Sequence, residues 1–200
     1  MNEQLFAELI ESVREDGAIL RGEQKPARKF ESTPAPFIVT LKLDPATFTH
    51  LNVLRQQHFP SERNFLPAHI TLFHALPGDQ EATIRATLAT RCAATPAIPL
   101  TLPGVRFLGR GVAINVESSA LLALRGHLTQ TWHDWLSAQD RQRYQPHVTI
   151  QNKVTAVVAR ALYEQLSQSW STLSAQGEGL LLWRYQGGPW AFVAEFPFCA

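Results

Sequence analysis

Pro67-Ala68-His69-Ile70-Thr71-Leu72-Phe73 and Gln145-Pro146-His147-Val148-Thr149-Ile150-Gln151 are the two stretches on which the fold turns. Each holds His-x-Thr followed by an apolar residue, with Pro one or two positions before the His. A β-strand sends residues i and i+2 to one face. His69 and Thr71 therefore share a face, opposed by Ile70 and Leu72. In the second copy His147, Thr149 and Gln151 share a face, opposed by Val148 and Ile150. The two histidines lie 78 residues apart, the span of a substantial lobe.

The segments around them repeat in order. Phe37–Leu43 has the β-branched content of a strand. Asp44-Pro45 starts a helix running to about Gln57, with a side-chain acceptor at the cap and Pro at the first helical position. The first His strand spans roughly 68–76. Gly78-Asp79 opens a second helix with Ile84, Leu88 and Cys92 on one stripe. A strand over about 98–108 follows, then a Gly109-Arg110-Gly111 turn into Val112–Glu117, as in a hairpin. Ser118 or Ser119 caps a helix whose buried stripe is Leu121, Leu124, Leu128, Trp132 and Trp135. After the second His strand, Thr155 caps a helix with Val158, Leu162 and Leu166 inward. A hairpin over 180–196, turning at Gln186-Gly187-Gly188-Pro189, closes the chain. Phe37 to His69 is 32 residues and Val112 to His147 is 35, so strand, helix, His-x-Thr strand, helix and strand occur twice. The expected class is α+β: two pseudo-symmetric lobes, each an antiparallel sheet flanked by helices, with the His-x-Thr strands facing a central cleft. The lobes occupy residues 36–198. Residues 1–35 read as an N-terminal helix, with Leu5, Phe6, Leu9, Ile10 and Val13 at helical spacing, followed by a polar arm carrying Arg21, Lys25, Arg28 and Lys29.

Composition narrows the function. In 200 residues the formal net charge is +1, so bulk electrostatics give no sign of a long nucleic-acid partner or an anionic membrane. Any nucleic-acid contact is local. Two cysteines, Cys92 and Cys199, make no disulfide framework and have no metal-ligand spacing, which suits a reducing compartment. No apolar run reaches membrane-spanning length, and the first residues carry charges through their apolar positions, unlike a signal peptide. A cytoplasmic protein is expected.

Paired His-x-Thr strands suit in-line displacement at phosphorus. One imidazole accepts the proton of the attacking hydroxyl or water, while the other gives a proton to the leaving oxygen on the far side. The Thr hydroxyls can bond the non-bridging oxygens and steady the charge there. Tyr144, Phe107 and Trp190 could stack a base, although core packing explains any one of them as well. Arg141 and Arg143 stand just before the second motif, where phosphate contact and a solvated loop are about equally good readings. His74, five residues after His69, falls on the opposite strand face and reads as a packing residue. No set of three converging metal ligands is visible.

The chain resembles the two-histidine phosphoesterases, specifically their bacterial 2′-5′ RNA ligase-like and cyclic phosphodiesterase branch. The resemblance covers about residues 36–198 and rests on Pro67-Ala-His69-Ile-Thr71-Leu, Tyr144-Gln-Pro-His147-Val-Thr149-Ile, the strand order and the Val105–Val112 hairpin. It implies a two-lobed fold with a central cleft. It also implies metal-independent action, without a cofactor, on 2′,3′-cyclic phosphates or 2′-5′ phosphodiesters of nucleotides or RNA ends. His69 and His147 become the catalytic residues, with Thr71, Thr149, Tyr144 and Gln151 contacting substrate. Many relatives place Arg soon after the second motif, where this chain has Asn152-Lys153. A monomer is expected. The rival reading is a non-catalytic RNA or nucleotide-binding module on the same scaffold, which Arg or Lys would serve better than a pair of histidines. With an unperturbed histidine pKa of about 6.5, acid–base turnover should peak near neutral pH.

Overall fold

A computed structural model describes residues 34–199; the proposed N-terminal helix and nearly all of the basic arm lie outside them. Eight strands and four α-helices follow in the order β1 (Phe37–Leu43), α1 (Pro45–His58), β2 (Ile70–Leu76), α2 (Glu81–Ala93), β3 (Ile98–Leu102), β4 (Val105–Phe107), β5 (Val112–Asn115), α3 (Ser119–Thr131), β6 (His147–Gln151), α4 (Ala156–Ser169), β7 (Leu173–Tyr185) and β8 (Trp190–Pro197). The repeat is visible in this order, as β1-α1-β2-α2-β3 and β5-α3-β6-α4-β7. All strand pairs are antiparallel.

The lobes are not two consecutive pieces of chain. One sheet has the order β2-β1-β7-β3, with β8 also on β7; the other is β4-β5-β6. The single strand expected over 98–108 is in fact two. Pro103 has no N–H for a ladder and Gly104 favours a bend, so the run divides there. Its first half pairs with β7 and its second half with β5. The chain thus crosses between sheets at Pro103-Gly104, and β7 returns to complete the first one.

Helix starts follow local chemistry. Asp44 accepts from the Thr47 N–H at 2.9 Å, and its second oxygen takes the Gln176 N–H at 2.9 Å, tying α1 to β7. Ser118 caps α3 through Leu121 N–H and Thr155 caps α4 through Val158 N–H. The second helix starts at Glu81, later than Gly78-Asp79, and Gln80 supplies no side-chain cap. Gly78 instead lies against the Pro34 and Ala35 carbonyls, where a Cβ would collide. The core draws on both sheets and on the apolar stripes of α1 to α4: Leu51, Ile84, Leu88, Leu121, Leu128 and Leu162 are buried. Phe73 meets Trp132 edge-on with ring centroids 5.1 Å apart. Among the described residues no helix is long and apolar enough to cross a membrane.

Candidate active site

Strict alternation fails at the same place in both His strands. In the β1–β2 ladder Thr71 pairs with Thr40 and Phe73 with Val39. In the β5–β6 ladder Thr149 pairs with Ala113 and Gln151 with Val112. In each case two steps on the His strand match one on its partner, which is a β-bulge directly after the Thr. The bulge resets which side chains face inward. Leu72 and Phe73 are both buried in β2, as are Ile150 and Gln151 in β6. Two sequence expectations change as a result. Gln151 does not line the cavity beside Thr149; it turns into the interior, where its Oε1 has no partner. His74 is not on the far face; it joins His69 and Thr71 on the cavity wall.

That cavity, of about 400 Å³, is walled by His69, Thr71, His147 and Thr149 together with Tyr144 and Trp190. The two motif imidazoles are held alike. His69 Nδ1 lies 2.7 Å from the Pro67 carbonyl and His147 Nδ1 lies 2.9 Å from the Gln145 carbonyl, each two residues back along the chain. A carbonyl can only accept, so each Nδ1 carries hydrogen. Both Nε2 atoms are thereby left for a ligand, as bases when the ring is neutral and as acids when it is charged. Trp190 packs against His69 with centroids 4.9 Å apart.

Burial pushes the His69 imidazole down to about 4. The Pro67 bond opposes this, while the charges of Arg55, His147 and His74 add to it. Burial also lowers His147, opposed by the Gln145 bond and aided by Arg106 and His74.

Four residues that sequence reasoning did not single out shape this wall. Arg55, on α1 and only 4% exposed, donates from Nε to Asn64 Oδ1 (2.9 Å) and to the Leu66 carbonyl (3.0 Å). Its Nη1 donates to the Thr149 carbonyl at 2.7 Å. One guanidinium thus ties the segment entering His69 to the strand carrying His147, and burial lowers its pKa to about 10. Asn52, one turn earlier, accepts from the Ala68 N–H. Asp140, 1% exposed, accepts from the backbone N–H groups of His74 and Ala75, from the Ser137 hydroxyl and from His74 Nδ1. Burial alone would raise the Asp140 carboxyl, but these bonds outweigh it and hold it low. Arg125 is buried between the rings of Phe73 and Tyr144 and donates to the Asp140 carbonyl. A mid-strand His and a loop Asp are the only sequence signals for the Asp140–His74 pair, and strict alternation hid them.

Of the base-stacking candidates, Trp190 and Tyr144 reach the cavity. Tyr144 has Arg125 on its ring and its hydroxyl is buried without a partner. Phe107 is away from the cavity, against Tyr163 and Arg160. Arg143 lines the cavity and Arg141 does not. Among the described residues no three His, Cys, Asp or Glu side chains converge as a metal site requires.

Known proteins share this fold. The crystal structure of TT0787 from Thermus thermophilus is similar at 15% identity with a TM-score of 0.60, covering 82% of this chain and 97% of that one. Escherichia coli LigT in its apo form is similar at 16% identity and TM-score 0.57, covering 84% and 100%. LigT complexed with 3′-AMP gives 17%, 0.56, 84% and 99%. At these identities the likeness speaks for the fold. No curated protein matches the chain. A family model described as the 2′-5′ RNA ligase superfamily matches residues 43–189. That span is most of the chain and holds both His-x-Thr strands, both bulges and Arg55, so the chain belongs to the 2′-5′ RNA ligase superfamily.

Proposed function

We propose that the protein is a metal-independent phosphodiesterase or 2′-5′ ligase-type enzyme of the cytoplasm, acting on 2′,3′-cyclic phosphates or 2′-5′ phosphodiesters of nucleotides or RNA ends. One observation carries this reading: two imidazoles share one cavity, each with Nδ1 spent on a backbone carbonyl and Nε2 free. A binding module would have no use for that matched pair. His69, the harder to charge, serves as base and takes the proton of the attacking water or hydroxyl. The new P–O bond forms as the P–O bond to the leaving oxygen breaks, and His147 protonates that oxygen. Thr71 and Thr149 donate to the non-bridging oxygens as charge gathers there, and Trp190 offers a face for a base. That LigT of the same fold was solved with 3′-AMP supports a nucleotide as ligand.

The test is a turnover panel of 2′,3′-cyclic nucleotides, 2′-5′ dinucleotides and RNA ends in excess chelator, with products resolved by chromatography. Opening of a cyclic phosphate or exchange of a 2′-5′ linkage is the expected result. Tight nucleotide binding with no turnover of any member would overturn the enzymatic reading.

A further inference from the structure

The Asp140–His74 pair has no part in the chemistry above, although it is built into the same wall. The Asp140 carboxylate is already satisfied without the imidazole. Its Oδ1 takes the His74 N–H at 2.9 Å, and its Oδ2 takes the Ala75 N–H at 3.2 Å and the Ser137 hydroxyl at 3.0 Å. The further bond to His74 Nδ1, at 2.9 Å, therefore serves the ring. It fixes the ring plane with Nδ1 carrying hydrogen and leaves Nε2 as the atom open to a ligand, an acceptor on the neutral ring and a donor to an anion when the ring is charged. The His74 side chain is 45% exposed, and it faces the cavity because the bulge after Thr71 turns it there.

Charge points to what the ligand atom is. The wall carries Arg106 and Arg143, neither in a salt bridge among the described residues. Its one carboxylate, Asp140, is engaged. A cyclic phosphate or phosphodiester brings a single negative charge, and the two Thr hydroxyls and two motif imidazoles already meet it. The surplus donors call for a second anion.

We propose that His74 and Arg143 form a second phosphate subsite, so that the cavity takes a nucleotide or RNA end carrying another phosphate beside the reacting one. This rests on the two-histidine reading of the same cavity. Two sources supply the chemistry: the 5′-phosphate of a free nucleotide, or the neighbouring internucleotide phosphate of an RNA end.

Equilibrium binding tests this without turnover. The probes are a nucleoside 3′-monophosphate, the matching 3′,5′-bisphosphate, and a dinucleotide ending in a 3′-phosphate. The wild-type protein should bind at least one of the two longer probes about tenfold more tightly than the monophosphate, the worth of a charge-assisted hydrogen bond. Preference for the bisphosphate assigns the free nucleotide as source, and preference for the dinucleotide assigns the RNA end. His74→Ala should bring that ratio close to one. Arg143→Ala should do the same, and it alters only an exposed loop side chain. A wild-type ratio near one, or a preference that survives in both variants, overturns the second subsite. Failure of turnover with the preference intact would instead count against the phosphodiesterase reading alone.

Discussion

Arg55→Met keeps most of the buried stem but deletes the charge and three hydrogen bonds. Those bonds bridge α1, the segment entering His69 and the strand of Thr149, so their loss acts on stability and on the site together. Two of the acceptors are backbone carbonyls, and leaving each unpaired costs about 1–3 kcal/mol; the relief of no longer burying a guanidinium offsets part of this. The expected net loss is about 3 kcal/mol. With a urea slope of about 2 kcal/mol/M, the unfolding midpoint falls by about 1.5 M. The Leu66 carbonyl precedes Pro67, whose own carbonyl orients His69, so kcat/KM should drop about tenfold or more in folded protein. Removal of the nearby positive charge should also raise the His69 pKa from about 4, read by NMR titration. Arg55→Lys separates the two effects. It keeps the charge, so His69 stays low, but one ammonium cannot span both sides as the planar fork does, so stability still falls. An Arg55→Met protein with the wild-type midpoint and an unmoved His69 titration would refute the bridging role.

The pH profile should depart from the neutral optimum that unperturbed histidines imply. Below about 4 His69 is charged and the base is lost; above the His147 pKa, which lies below 6.5, the acid is lost. The bell in kcat/KM should therefore peak on the acid side of neutrality, its limbs belonging to the coupled pair. The anionic phosphate favours both charged forms, so the kcat bell should sit at higher pH; a kcat/KM maximum above pH 7 would contradict the assignment. Thr71→Val and Thr149→Val should each lower kcat/KM about ten- to a hundredfold with no change in unfolding midpoint, since each removes one donor to the phosphate. Gly111→Ala should destabilise by about 2 kcal/mol in urea titration, because its Cβ would overlap the Gln151 carbonyl oxygen and meet Asn152 Cα at 2.8 Å, both backbone atoms that cannot yield.

Periodicity and caps carried most of the fold. The α1 start at Asp44-Pro45, the α3 stripe through Leu121, Leu124 and Leu128, and the hairpins around Gly109–Gly111 and Gly187-Gly188 all stand where local residues put them. The two His-x-Thr motifs do share a cavity wall. What escaped was non-local. A bulge depends on the partner strand, so alternation read along one strand put Gln151 on the cavity and His74 off it. The Pro103-Gly104 break is visible in sequence as a strand-breaking pair, but which sheet each half joins depends on β5 and β7. Arg55 reads as an ordinary polar position on an amphipathic helix; its importance comes from Thr149, 94 residues away.

The most direct test of the paired-imidazole account is turnover of a 2′,3′-cyclic nucleotide by His69→Ala, His147→Ala and the double variant, each first shown to be folded by its unfolding midpoint. Acid and base act in one step, so each single variant should lose about a thousandfold in kcat/KM, and the double variant should be scarcely worse than either. A single variant with near wild-type turnover, or losses that multiply in the double variant, would contradict it.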